Sequence, residues 1–245
     1  MRSAAARRRH GRYVLEGARF LRAAVAAGAH VEQLVGVDEA IRREADLVAS
    51  ARSVVVVTQR ELAAISATTT PQGLVGVLRR VTVPVEALED RLVVLALDGV
   101  QDPGNVGTLV RTAAALSDAV GVLVGPGSAD PFNPKAARAA AGALERVPIA
   151  EVDELTPALR ELRVRGARVI GLDPRAPSPL APETQRRVLV VGAEGAGLSA
   201  AVDGELDERA ALVVPPRLES LNAAVAGALA LWVSLGGGAG ASTRG

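Results

Sequence analysis

Short apolar runs alternate with helical stretches through most of the chain, and this alternation is the feature that most limits its fold. Runs such as LVVLALDGV, AVGVLVG and RVLVVG are of strand length, and the residues between them are spaced as in helices. Strands that alternate with helices predict a mostly parallel sheet covered on both faces, so the chain is expected to be an α/β protein. The expected strands are 92–100, 119–125, 147–152, 167–173, 187–192 and 211–215, and the expected helices are 105–117, 134–144, 153–165 and 220–235.

The first third of the chain has a shorter version of the same pattern. Apolar side chains at helical spacing from Val14 to Val25 predict a helix that ends at Gly28. The charged stretch 38–50 and the segment QRELAAISA also predict helices. The strands expected in this part are 31–37, 53–58 and 73–81.

The pattern breaks at residues 82–91, where Pro84 and a charge cluster occur, and we place a domain boundary there. Five arginines without an acid dominate the N-terminus, a composition that suits either phosphate contacts or a solvated tail. Glycines dominate the C-terminal end, which has nothing to bury. The predicted organisation is a basic tail at 1–12, a small α/β domain at 13–85, a larger α/β domain at 90–236 and a disordered tail at 237–245.

Composition excludes several classes of protein. No run of 18 apolar residues is free of charge, so no membrane-spanning helix is expected. The N-terminus has arginines but no apolar region before a small-residue cleavage site, so no secretory signal is expected. The chain has no cysteine, which excludes disulfides, thiolate nucleophiles and cysteine-ligated zinc and fits a cytoplasmic protein. Its two histidines, His10 and His30, lie far from the glycine-rich half of the chain, so no histidine-based metal site or triad is expected.

Three loops with polar residues and glycines follow strands of the larger domain, at the end of a parallel sheet where ligands bind. They are DGVQDPGNVGTLVR (98–111), VVGAEGAGLS (190–199) and VVPPRLESLN (213–222). The glycines of the first loop would let a phosphate approach a helix N-terminus, and those of the second would let backbone amides contact a flat ligand such as adenine. The second loop does not follow the G-x-G-x-x-G order of dinucleotide sites.

Each loop also has a purely structural interpretation, and the residues alone leave both open. Asn105 is suited to cap a helix, and Glu194 would then be a solvated residue of a tight turn. Ser220 and Asn222 are both suited to cap the helix that follows them, and if Ser220 is the cap, Asn222 is left for an active-site role. No histidine or lysine is near Ser220 in the sequence, so a serine hydrolase is not expected.

Together the loops carry a family resemblance. NVGTLVR (105–111), LVVGAEGAGLS (189–199) and VVPPRLESLNAAVAGALALW (213–232) resemble, in order and separation, the three motifs of the SpoU/TrmH family of RNA 2′-O-methyltransferases, part of the SPOUT class. The segment ATTTPQGLVGVL (67–78) is similar to the end of the ribosomal-protein-like, RNA substrate-binding domain that often precedes the methyltransferase domain. The resemblance covers about residues 12–236 and implies a C-terminal trefoil knot, S-adenosyl-L-methionine as cofactor and a homodimer.

The resemblance also implies the site residues. Arg111 would contact the ribose hydroxyl or its phosphate; since a guanidinium with a pKa above about 12 is a poor base, stabilising a developing alkoxide is its easier role. Pro216 and Arg217 depart from the family pattern at the cofactor wall. The implied catalytic residues are Arg111, Asn105, Glu194, Ser220 and Asn222, and the implied cofactor-binding residues are Gly192, Val214, Leu221 and Leu172.

The expected function is therefore S-adenosylmethionine-dependent methylation of a ribose 2′-hydroxyl in RNA. The ribosomal-protein-like domain favours 23S ribosomal RNA over transfer RNA, which is the alternative. A non-catalytic RNA-binding protein of the same fold would need a broken motif, and an NAD-dependent oxidoreductase would need an early glycine fingerprint that DGVQDPGNVG lacks. Helix 220–235 is apolar on most faces, which suits both a core and a homodimer interface.

Overall fold

The computed structural model describes residues 3–66, 72–213 and 221–237. The chain divides into two compact units, one built from residues 1–81 and 130–146 and the other from residues 82–129 and 147–245. Both units combine helices with a sheet. The expected α/β class, a mostly parallel C-terminal sheet preceded by a separate small α/β unit, is confirmed.

The elements are numbered in chain order. The first unit contains α1 (Ala4–His10), β1 (Arg12–Glu16), α2 (Ala18–Ala26), β2 (Val31–Gly36), α3 (Asp38–Arg43), α4 (Ala45–Ser50), β3 (Val54–Val56), α5 (Gln59–Ile65), β4 (Leu74–Arg79), α7 (Pro134–Ala140) and a 3-10 turn at Ala143–Glu145. The second unit contains a 3-10 turn at Val85–Leu88, β5 (Val93–Asp98), α6 (Pro103–Leu116), β6 (Val120–Val124), β7 (Ile149–Glu151), α8 (Leu155–Val164), β8 (Arg168–Leu172), β9 (Arg187–Gly192), α9 (Ala200–Asp203), β10 (Glu208–Ala210) and α10 (Ala223–Ser234).

The sheet of the first unit has the order β1-β4-β2-β3, with β4 antiparallel to β1 and β2 and with β3 parallel to β2. The prediction of one helix from Val14 to Val25 is wrong, because residues 12–16 form strand β1 and the helix begins at Ala18. Gly17 separates the two elements with a φ of 98°. The apolar residues before it fit either period, and pairing with β4, a long-range contact, decides for the strand.

The arginine-rich N-terminus, expected either as a solvated tail or as a phosphate-binding run, forms helix α1 in residues 4–10. Arg7 is buried, and its Nε lies 2.6 Å from Asp130 Oδ2. Asp130 belongs to the segment 130–146, which leaves the second unit after β6 and packs with the first. The same segment supplies Glu145, which accepts a hydrogen bond of 2.8 Å from the buried Tyr13 hydroxyl. The first unit is therefore completed by residues that the sequence prediction gave to the larger domain.

The sheet of the second unit has the order β10-β8-β9-β5-β6-β7, and every strand pair in its described part is parallel. Helix α8 packs on one face, where its leucines join alternate residues of β5 and β9 in a buried cluster. Helices α6 and α10 pack together against the strands. They approach so closely that a Cβ on Gly227 would lie 2.4 Å from Leu109 Cδ2.

Some boundaries differ from the sequence prediction. The last strand covers Glu208–Ala210 rather than 211–215, and α6 begins at Pro103 rather than at residue 105. Residues 214–220 lie outside the described residues, so the trefoil knot, whose threading involves this part of the chain, stays a prediction. The tail prediction for 237–245 also falls almost entirely outside them. No helix in the described ranges is long and apolar enough to cross a membrane.

Candidate active site

Three neighbouring strands of the second unit end at the same edge of the sheet. In the parallel register Asp98, the last residue of β5, is opposite Gly192, the last residue of β9. The next strand, β8, ends at Leu172, a predicted cofactor contact that is half-buried. The first two polar loops leave from β5 and β9 at this carboxyl edge, where parallel sheets bind ligands.

The first loop enters α6 through an aspartate cap. Asp102 Oδ1 accepts hydrogen bonds from the backbone N–H of Gly104 at 2.6 Å and of Asn105 at 3.1 Å. The structural interpretation of Asn105 as a helix cap is therefore wrong, because Asp102 already satisfies the free N–H groups of the first turn. The Asn105 side chain is left to make other contacts.

Those contacts bring together residues from all three loops. Asn105 Nδ2 donates a hydrogen bond of 2.5 Å to Glu194 Oε1 in the second loop. Asn222, the last residue of the third loop, donates a hydrogen bond of 3.2 Å from its Nδ2 to Asn105 Oδ1. Residues that lie 89 and 117 positions apart in the chain thus form one hydrogen-bonded group, which we call the Glu194–Asn105–Asn222 group.

The second loop is closed by its own backbone. Ala193 and Gly197 exchange two hydrogen bonds, with N···O distances of 3.0 and 2.9 Å. Gly197 has a φ of 72°, a conformation that favours glycine. Gly192 has a different constraint, because a Cβ there would lie 2.3 Å from the backbone carbon of Gly197. The turn and the strand end touch so closely that position 192 accepts no side chain.

Asp98 is a residue of this edge that sequence reasoning missed. Its side chain is buried, and its Oδ2 accepts a 2.6 Å hydrogen bond from the backbone N–H of Ser199, the cap of α9. Asp98 thereby fastens the far end of the glycine loop to β5. The available sequence indication was an acid at the end of a strand that is otherwise apolar.

Asn222 has two contacts of different kinds. Its Oδ1 accepts hydrogen bonds from the backbone N–H of Ala224 at 2.9 Å and of Val225 at 3.3 Å, so Asn222 caps α10. The expectation that Ser220 would leave Asn222 without a capping role is therefore wrong. Leu221, a predicted cofactor contact, is half-buried beside Asn222. The predicted residues Ser220 and Val214 lie outside the described residues.

Arg111 is exposed on α6 and does not join the Glu194–Asn105–Asn222 group. Arg111 lies six positions after Asn105, which places it about 240° around the helix and about 9 Å along its axis. It shares an exposed face with Thr108, one turn earlier. Its guanidinium makes no hydrogen bond or ion pair within the described part of the chain. None of its five donors is therefore used by another described residue, which leaves them for a ligand as far as this part of the chain is concerned.

Comparison with known proteins shows which family has these three loops. Residues 92–232, which include all three loops, match the SpoU rRNA methylase family. The chain belongs to this family. Residues 1–76 match the MRM3-like substrate binding domain. The SpoU/TrmH resemblance of the motifs is confirmed.

Individual SpoU relatives extend over nearly the whole chain. The 23S rRNA (guanosine(2553)-2'-O)-methyltransferase RlmP of Bacillus subtilis is 34% identical over 223 residues, which are 90% of this chain and 87% of that protein. The crystal structure of the SpoU methyltransferase AviRb from Streptomyces viridochromogenes, in complex with AdoMet, matches with a TM-score of 0.83 and 26% identity and covers 99% of this chain and 95% of that one. An AdoMet-bound rRNA methyltransferase from Sinorhizobium meliloti matches with a TM-score of 0.79, at 26% identity, over 94% of this chain and 89% of that one.

Proposed function

We propose that this SpoU methyltransferase modifies a ribose 2′-hydroxyl of 23S ribosomal RNA, with S-adenosylmethionine as the methyl donor. The observation that carries the proposal is the Glu194–Asn105–Asn222 group, which joins the three motif loops at the ligand-binding edge of the sheet. The similarity to the 23S enzyme RlmP over 90% of the chain supports the choice of RNA. A cytoplasmic location, where such RNA is found, is part of the proposal.

The residues at the carboxyl edge fit S-adenosylmethionine. Gly192 is half-buried and puts no side chain at the strand end, which suits contact between its backbone and a ligand. Leu172 and Leu221 are half-buried apolar residues that suit an adenine ring or a methylene chain. We assign cofactor contacts to these three residues and, from the family motif, to Val214. When bound, the cofactor supplies an electrophilic methyl group on a positively charged sulfur.

Arg111 is proposed to hold the RNA at the reacting ribose. An exposed guanidinium without an internal partner can bind a phosphate through two parallel N–H groups. Placed beside the 2′-oxygen, the same charge would stabilise the negative charge that develops as the hydroxyl loses its proton. Because arginine stays protonated, it is not the acceptor of that proton, which would pass to solvent water.

The hydrogen-bonded group is proposed to orient the nucleotide. Glu194 fixes one side of the Asn105 amide and Asn222 fixes the other, so the amide cannot rotate without losing a contact. Fixed amide and carboxylate groups reduce the orientational freedom that a reacting nucleotide must lose. Ser220 is added to this set from the family motif.

We also propose a homodimer that forms through α10. Val225, Leu229 and Trp232 are 47%, 38% and 46% exposed and recur at helical spacing, so they form one apolar stripe. Asn222 begins the same stripe, which would place the active site beside the interface. We expect Trp232→Glu to convert the dimer to a monomer in analytical ultracentrifugation. Val164→Glu, a change at an 87% exposed residue of α8, is the control. A monomeric wild-type protein at micromolar concentration would contradict the dimer.

The substrate is tested by methyl transfer with radiolabelled S-adenosylmethionine. Purified protein is incubated with unmodified 23S ribosomal RNA or with unmodified transfer RNA, and cofactor binding is measured separately by equilibrium dialysis. We expect label in 23S ribosomal RNA alone. Label only in transfer RNA would assign the enzyme to the alternative substrate. Cofactor binding without transfer to either RNA would support the non-catalytic alternative.

A further inference from the structure

The first unit has a cleft at one end of its four-stranded sheet. Its cavity volume is about 380 Å³, and its polar lining consists of His30, Glu32, Ser50, Arg52 and Arg79. Backbone hydrogen bonds hold its walls together: the Arg79 N–H donates to the His30 carbonyl at 3.0 Å, and the Arg52 N–H donates to the Val31 carbonyl at 2.9 Å. The lining residues are therefore fixed relative to one another.

Charge is unevenly distributed around this cleft. Some exposed arginines of the first unit pair with acids, as Arg42 does with Asp38 and Arg43 with Glu39. Arg52 and Arg79 are exposed and form no ion pair within the described ranges.

The acidic residue of the cleft lining, Glu32, does not neutralise the positive charge of these arginines. Glu32 already pairs with Arg12, so its charge is compensated by a residue outside the cleft lining. His30, which is exposed, can add a further hydrogen-bond donor. The cleft therefore has excess positive charge, and its guanidinium donors have no acceptors among the residues that the structure describes.

We propose that this cleft binds a phosphodiester of the RNA substrate. Guanidinium groups bind phosphate oxygens through paired N–H donors, which suits the unpaired Arg52 and Arg79. The volume lies at the lower end of the roughly 300–1,000 Å³ range of ligand pockets, which suits a short stretch of sugar–phosphate backbone better than a folded helix. The proposal rests on the proposed function in one respect, namely that the substrate is RNA.

The test compares two double variants that remove the same net charge. Arg52→Gln/Arg79→Gln removes the unpaired arginines of the cleft, and Arg42→Gln/Arg43→Gln removes paired ones. RNA affinity is measured over a range of salt concentrations. Each lost phosphate contact lowers the slope of log K against log salt by about 0.7–0.9, so the cleft variant should lose roughly 1–2 from the slope. The control should keep the wild-type slope.

Kinetics separate RNA binding from chemistry. The cleft variant should raise the KM for RNA about 10-fold or more, with unchanged kcat at saturating RNA and unchanged cofactor affinity. The single variants Arg52→Gln and Arg79→Gln should each show part of the effect. Equal salt slopes for the cleft variant and wild type, or equal losses in both double variants, would overturn this proposal. RNA binding with the expected slopes but without methyl transfer would overturn the proposed function and leave the phosphate site supported.

Discussion

Asn222 allows its structural role to be tested apart from its proposed active-site role, because the oxygen and the nitrogen of its side-chain amide make different contacts. Its oxygen caps α10 through two backbone N–H groups, and its nitrogen donates to Asn105. Serine at this position would keep an oxygen for the cap but remove the donor to Asn105. Alanine would remove both. The pair Asn222→Ser and Asn222→Ala therefore distinguishes a structural role from an active-site role.

The magnitudes follow from these contacts. Loss of an N-cap side chain costs about 0.5–2 kcal/mol. The hydrogen bond to Asn105 is solvent-exposed, so its contribution is at the low end of about 0.5–1.5 kcal/mol. Asn222→Ala should therefore lower the free energy of unfolding by about 1–2 kcal/mol, a decrease in melting temperature of roughly 2–8 °C for a chain of this size. Asn222→Ser should lose well under 1 kcal/mol.

The rate of methyl transfer should depend on whether the Asn222 amide nitrogen is present and not on how stable the variant is. Both variants lose the donor that fixes Asn105, so both should reduce the single-turnover rate by about 10²-fold, the size typical of one oriented donor. The control is Asn133→Ala, because Asn133 caps α7 through a 2.9 Å hydrogen bond to the Lys135 N–H and has no place in the proposed site. It should be destabilised but active. Full activity in Asn222→Ser would refute the orienting role, and a wild-type melting temperature in Asn222→Ala would refute the cap.

Three further predictions concern single side chains. Gly192→Ala should abolish cofactor binding in equilibrium dialysis, since the added Cβ would lie 2.3 Å from the Gly197 backbone; wild-type affinity would contradict this packing. Asp98→Ala should release the glycine loop and so raise the KM for S-adenosylmethionine at least several-fold. The control is Asp207→Ala, which removes a 2.8 Å hydrogen bond from the Val169 N–H at the opposite edge of the sheet and should leave that KM unchanged. Burial raises the pKa of Glu145 above its ordinary value, so the ionised side chain destabilises the fold only above the ordinary pKa of a glutamate. Glu145→Gln should therefore raise the melting temperature at pH 8 but not at pH 4, and an equal change at both pH values would argue against this.

Sequence periodicity predicted the second unit well because its strands are apolar and regularly spaced. The apolar runs that form β5, β6 and β9 are buried on both faces. The predicted first and last residues of these three strands lie within two residues of the observed ones. Periodicity failed where pairing with residues distant in the sequence decides the local structure. Val14 and Leu15 fit a helix or a strand, and only pairing with β4 selects the strand.

The candidate site was predicted by motif rather than by periodicity. Spacing alone could not place Glu194, Asn105 and Asn222 within hydrogen-bond distance, because three loops from different strands must meet. Spacing also could not choose Asp102 over Asn105 as the cap of α6, since both residue types are good caps. The burial of Arg7 against Asp130 could not be predicted from the sequence either, because the two residues lie 123 positions apart in the chain.

The most direct test of the proposed chemistry maps where the methyl group is attached. Unmodified 23S ribosomal RNA is methylated by the protein and hydrolysed with alkali, which cannot cleave a phosphodiester beside a 2′-O-methyl ribose. We predict one alkali-resistant dinucleotide that carries the label, with Arg111→Ala giving none although its cofactor affinity stays within a few-fold of wild type. Label found on a base, or undiminished ribose methylation by Arg111→Ala, would contradict the proposed site.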